Sequence, residues 1–142
     1  MGQNLSGNKS LVIGLDFDGT CVTHAYPEIG EDIGAVPVLK QILANGHKLM
    51  LWTMRGNKNQ KERQTLSEAV DWLKKNDIQL WGINNNPTQT ASGWSNSHKQ
   101  HANLYIDDAA LGAPLKFDLE LSSAPFIDWV KVEEILKENN II

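Results

Sequence analysis

Asp16-Phe17-Asp18-Gly19-Thr20 closes the apolar run Leu11-Val12-Ile13-Gly14-Leu15. Side chains alternate along a strand, so two carboxylates two residues apart at its end project to the same side. Ionised carboxylates that close repel each other unless a cation lies between them. Gly19 and Thr20 then turn the chain out of the strand. A hard divalent metal, a carboxylate nucleophile and a nearby proton donor suit this arrangement, which points to phosphoryl chemistry. A calcium loop is excluded, because its twelfth position counted from Asp16 would be Pro27 rather than an acid, and a strand-like run rather than a helix leads in.

The elements that must position these acids are legible from apolar periodicity. Residues 11–17 read as a strand covered on both faces. The spacing predicts a helix over 32–44 with Val36, Leu39, Ile42 and Leu43 on its buried stripe; Pro37 limits its start and Asn45-Gly46 stops it. Strands are expected at 48–52, 78–83 and 104–106, with one more short strand near 117–121. A helix over 61–76 carries Leu66, Ala69, Val70 and Leu73, with Trp72 beside them. Residues 84–97 read as a polar loop. Asp128 caps a last helix to about residue 139, with Val130, Val132, Ile135 and Leu136 as its apolar positions. Alternating strands and helices predict a Rossmann-like three-layer α/β/α sandwich around a central, mainly parallel sheet. Ligands in such sheets bind beyond the carboxyl ends of the strands, where Asp16, Asp18, Thr53, Asp107 and Asp108 all stand.

The chain has 142 residues and a formal charge of −4. That length suits a single domain over 11–142, after a disordered polar tail over 1–10. The charge argues against a stable nucleic-acid complex, which needs Lys and Arg to neutralise phosphates. Lys58, Lys61 and Arg63 form the one tight basic cluster and read as a solvated helix start. No run reaches the roughly 18 to 20 apolar residues of a membrane span. Met1-Gly2-Gln3-Asn4-Leu5-Ser6 matches the N-myristoylation pattern, but a polar tail is the default. The lone cysteine, Cys21, fits a reducing, cytoplasmic compartment and reads as small core filler. Trp52, Trp72, Trp81 and Trp129 are expected in the core, and Trp94 is the tryptophan expected to be exposed, as a substrate platform or a cover for the site.

Four pieces taken in order resemble the four motifs of the haloacid dehalogenase superfamily: Asp16-Phe17-Asp18-Gly19-Thr20, Leu51-Trp52-Thr53-Met54-Arg55, Lys99, and Tyr105-Ile106-Asp107-Asp108. The segment His24-Ala25-Tyr26-Pro27-Glu28-Ile29-Gly30 is similar to one in small bacterial and phage members. The resemblance implies that Asp16 is the nucleophile, forming an aspartyl-phosphate, and that Asp18 is the acid and base. It implies that Thr53 hydrogen-bonds a phosphoryl oxygen, aided by the turns that carry Gly19, Thr20 and Met54, and that Lys99 neutralises charge on Asp16 and the phosphate. Mg²⁺ would be held by an Asp16 oxygen, the Asp18 backbone carbonyl and one or both of Asp107 and Asp108. Arg55 could grip a second anionic group or form a surface ion pair. His24 could touch substrate or brace its own loop.

Members of this superfamily usually carry a cap domain. Here 34 residues separate Asp18 from Thr53 and 45 separate Thr53 from Lys99, and the expected elements use them all. A capless, open site follows, unless the 84–98 loop or a second subunit of a homo-oligomer covers it. The expected activity is Mg²⁺-dependent hydrolysis of a phosphomonoester on a small molecule or an accessible macromolecule. The alternatives are a phosphotransferase, a phosphatase of nucleic-acid 3′ ends, or a non-catalytic module that binds phosphate or a partner.

Overall fold

The computed structural model describes residues 9–58 and 63–142. The expected N-terminal tail lies mostly outside them, as does Lys61 at the expected start of the second helix; Ser10, the last residue of that tail, is tied down, its hydroxyl donating to the Gly46 carbonyl at 2.8 Å.

The order is β1 (Val12–Leu15), α1 (Ala35–Ala44), β2 (Lys48–Leu51), α2 (Thr65–Lys75), β3 (Gly82–Ile83), α3 (Pro87–Ser92), β4 (Leu104–Ile106), β5 (Leu115–Lys116), β6 (Phe126–Ile127) and α4 (Trp129–Glu138). Four strands form one parallel sheet in the order β3-β2-β1-β4. The architecture is the expected three-layer α/β arrangement. Among the described residues no helix is long and apolar enough to cross a membrane.

Strand alternation sorts the two faces. Ile13 and Leu15 of β1, Leu49 and Leu51 of β2, and Phe17 just beyond β1 are wholly buried in one cluster. They pack with Val38, Leu39 and Ile42 of α1, Ala69 and Leu73 of α2, and Trp129, Val132 and Leu136 of α4. Each such large apolar side chain contributes about 1.5–3 kcal/mol by leaving water. On the opposite face the 84–101 segment meets the sheet at Gly82 and at Tyr105. Tyr105 lies across Gly14, where any Cβ would overlap its ring, and its hydroxyl donates to the Gln100 carbonyl. Gly82 likewise lets the Asn85 backbone fold down onto the sheet.

The register levels the strand ends. Leu15 pairs with Leu51 and with Ile106, and Leu51 pairs with Ile83. One residue further on, Asp16, Trp52, Asp107 and Asn84 therefore share one edge of the sheet.

Several boundaries differ from expectation. The first strand is confined to Val12–Leu15, because Phe17 turns back: its carbonyl accepts from the N–H groups of Thr20 and Cys21. Helix α1 starts at Ala35 rather than residue 32, since the Asp32 carboxylate accepts from the Gly34 N–H at 2.9 Å and holds a turn there. The expected strand over 78–83 keeps only Gly82–Ile83. Ile78 instead closes α2: its N–H donates to the Leu73 carbonyl while Asp77, at φ 59°, donates to Lys74. The loop over 84–97 contains α3, whose start is capped by the Asn86 side chain with Pro87 in the first turn, a signal present in the sequence. No strand forms over 117–121, where Phe117 and Leu119 are exposed; the pairing is antiparallel between β5 and β6 on either side. In α4 the Asp128 cap forms as expected, but Val130 and Ile135 are exposed and Trp129 takes the buried place. Phe17 and Trp72 meet edge to face at 5.7 Å.

Candidate active site

Asp16, Asp18, Thr53, Met54, Arg55, His24, Asp107 and Asp108 line one open cavity of about 790 Å³ beyond the strand ends. Asp16 leaves β1 with its N–H on the Ile106 carbonyl at 3.0 Å, which sets it beside Asp107. Oxygen atoms of Asp16, Asp107 and Asp108 all lie within 4.8 Å of one another. An all-oxygen, acidic donor set at that spacing suits a hard divalent cation. Burial and the neighbouring Asp108 and Asp107 push the Asp16 carboxyl up to about 8.

Thr20 ties this group together from below. Its hydroxyl donates to Asp16 Oδ2 at 2.9 Å, lies 3.2 Å from Asp108 Oδ1, and accepts the Asp108 N–H at 3.1 Å. It is wholly buried, so the expectation that Thr20 meets substrate is corrected: it braces two acids. Gly19 is corrected in the same way. Its N–H is given to the Val22 carbonyl at 2.7 Å. Its φ of 80° suits glycine, and a Cβ there would overlap both His24 Nε2 and Asp108 Oδ2. Those two atoms pair at 2.7 Å, so His24 braces Asp108 from the exposed rim. Asp107 accepts the Ala109 N–H at 2.9 Å, which fixes the turn after β4. The Cys21 thiol is buried against the Asp16 carbonyl at 3.4 Å, and burial pushes its pKa up, in keeping with core filler.

Thr53 stands in the cavity as expected. Its N–H donates to Asn84 Oδ1 at 2.8 Å, and its hydroxyl accepts the Arg55 N–H at 3.1 Å. That leaves the hydroxyl proton for a ligand, since it is given to no other group among the described residues. Met54 is fully exposed on the rim.

Arg55 is neither a substrate grip nor a surface ion pair. It is 3% exposed, and its five N–H groups are all spent inside the protein. Nε and Nη2 donate to the two oxygens of Asp18 at 2.8 and 2.7 Å. The other three reach the carbonyls of Pro27, Glu28 and Thr65 at 3.3, 2.7 and 3.1 Å. Its guanidinium carbon lies over the Phe17 and Tyr26 rings, 5.0 and 5.2 Å from their centroids. The Asp18 side chain thereby faces Arg55 and stays out of the acidic trio. Arg63, expected on a solvated helix start, bridges Glu28 at 2.6 Å and Glu68 at 2.8 Å and holds both carboxyls below their usual range. Two arginines thus strap the 26–28 loop to the start of α2.

Lys99 is not brought to this cavity. It is exposed in a separate cleft of about 350 Å³ lined by Trp94, His101 and Tyr105, its ammonium 6.0 Å from the Tyr105 centroid. The segment that carries it is held to β4 through the Tyr105 hydroxyl, which donates to the Gln100 carbonyl. Trp94 is exposed as expected, but in that second cleft rather than over the acids. Besides Ala109, three cavity residues escaped the sequence reading. Trp52, assigned to the core, lines the cavity, as do Tyr26 and Asn84. Asn84 follows β3 as Asp16 follows β1, so correct strand ends would have marked it.

A conserved protein coded by a locus of Bacteroides thetaiotaomicron has a solved structure with a TM-score of 0.69 to this one, 32% sequence identity, and 92% of each chain covered. No family model matches the chain, and no curated protein does.

Proposed function

This chain belongs to the family of that conserved Bacteroides protein; on the motifs and the geometry of the acidic cavity we propose that it is a Mg²⁺-dependent phosphomonoesterase of the capless haloacid dehalogenase type. The observation that carries the reading is the gathering of Asp16, Asp107 and Asp108 oxygens within 4.8 Å, in one cavity with Thr53.

In this reading Asp16 attacks phosphorus as the ester P–O bond breaks, and the leaving oxygen takes up a proton. Water then splits the aspartyl-phosphate, which frees inorganic phosphate and restores the carboxylate. Thr53 donates its hydroxyl proton to a phosphoryl oxygen. Thr20 holds Asp16 and Asp108 at fixed separation through both steps. Asp16, Asp107 and Asp108 would hold the Mg²⁺, whose chemistry there is to offset repulsion between carboxylate and phosphate. Asp18 handles protons. Each of its oxygens keeps a lone pair beyond its bond to Arg55, enough to accept a proton from water. The same lone pair can carry the proton that the leaving oxygen takes up, with the fork to Arg55 intact.

The test is hydrolysis of acetyl phosphate and phenyl phosphate with and without Mg²⁺, with Asp16→Asn as control. Turnover that needs Mg²⁺ and vanishes in Asp16→Asn is expected. Undiminished turnover in the variant removes the nucleophile assignment. One observation favours the non-catalytic alternative: both Asp18 oxygens are held by Arg55. Tight binding of Mg²⁺ and orthovanadate without turnover of either compound would select it.

A further inference from the structure

Above the acidic floor the cavity wall is apolar and aromatic. Tyr26, Trp52 and Met54 line it, and Tyr26 is 55% exposed. The Tyr26 ring is held in place from one side: the Arg55 guanidinium lies 5.2 Å from its centroid and is itself fixed by five hydrogen bonds and by Phe17 beneath. A ring anchored in that way and still half exposed is a preorganised stacking surface, costing little entropy when a second ring lies on it.

The same cavity offers almost nothing to a second anionic group. Arg55 and His24 are the basic side chains among its described lining residues. Arg55 has no N–H left, and His24 has its Nε2 committed to Asp108 at 2.7 Å. Asp16, Asp18, Asp107 and Asp108 face the same space, so an additional carboxylate or phosphate would meet repulsion.

Resting on the phosphatase reading, we propose that this site takes phosphate monoesters whose alcohol part is a flat, uncharged aromatic ring stacked against Tyr26 and Trp52, and that it turns away esters with a second anionic group. The shared chemistry is a phosphorylated phenol. It occurs in small aryl phosphates and in a tyrosine-phosphorylated peptide, and a site without a cap admits both.

Leaving-group reactivity would bias a comparison of turnover, so the experiment reads binding. Benzylphosphonate, cyclohexylmethylphosphonate and para-carboxybenzylphosphonate are tested as competitive inhibitors of acetyl phosphate hydrolysis in Mg²⁺. Benzylphosphonate should bind about tenfold tighter than the cyclohexyl compound, the scale of one aromatic contact, and the added carboxylate should weaken it. Tyr26→Ala should collapse that ratio and Tyr26→Phe should keep it; Trp52→Leu, which leaves Arg55 untouched, should also reduce it. Equal affinities, or tighter binding of the carboxylated compound, would overturn the proposal. Should neither acetyl phosphate nor phenyl phosphate be hydrolysed, the phosphatase reading falls, while calorimetric titration with the same phosphonates still reads the ring preference. Comparing phenyl phosphate with a tyrosine-phosphorylated peptide in kcat/KM then tells which source the site favours.

Discussion

Arg55 grips both carboxylate oxygens of Asp18, at 2.8 and 2.7 Å, from a position almost wholly out of solvent. The same guanidinium carries the Pro27 and Glu28 carbonyls. One side chain therefore sets the orientation of the acid two residues after Asp16 and the position of the loop that presents Tyr26. An ammonium cannot copy that planar fork.

Arg55→Lys keeps a cation but has three N–H groups for five acceptors, so at least two are left unserved. A destabilisation of about 3 kcal/mol is expected, at about 1–3 kcal/mol for each buried group left without a partner. Urea unfolding measures it. A change under about 0.5 kcal/mol, the scale of a surface substitution, would show the fork to be dispensable.

Metal-free stability should fall as pH rises. The Asp16 carboxyl is raised from 3.8 to about 8 in the folded chain by burial and its acidic neighbours. The folded state thus holds a proton that the unfolded chain has already lost, so this group's contribution is fully present below the unfolded value and disappears as pH passes through about 8. Melting temperature without Mg²⁺ should decline over that window, and Asp16→Asn should flatten the decline. A cation favours the ionised carboxylate, so added Mg²⁺ should raise the melting temperature more above the window than below it. A flat profile for the parent protein would contradict this account.

Thr20→Val keeps the shape of the residue and deletes the hydroxyl between Asp16 and Asp108. Leaving a buried donor and acceptor unserved costs about 1–3 kcal/mol. Calorimetric Mg²⁺ affinity should drop in the same variant, and Thr20→Ser should recover most of both losses. An unchanged affinity in Thr20→Val would mean that the acids hold their spacing without it.

Lys99→Ala should leave hydrolysis of phenyl phosphate within about twofold of the parent, as for a surface change away from the chemistry. Lys99 lines a different cleft from the acids. A hundredfold loss would show that the 97–101 segment moves to bring the ammonium in.

Strand ends were legible because they depend on backbone register and on local apolar runs. The Asp16 and Asp107 positions follow from where Leu15 and Ile106 stop, and these pair directly. Helix α4 and its Asp128 cap follow from neighbours in sequence for the same reason. Short elements were less legible: α3 has six residues and β3 two, too few for a period to show.

The primary sequence thus determined the parallel α/β sheet and the line of acids along one edge of it, since alternation and helical spacing are properties of adjacent residues. Only the tertiary structure decided what each polar side chain faces. It turned Arg55 inward onto Asp18, 37 positions away, and joined Thr20 to Asp108 across 88. It sent Lys99 to the other cleft and opened Trp52 to the cavity. A buried donor must find its acceptor wherever packing puts one, and that choice is made by chain segments that meet only when the sheet has formed.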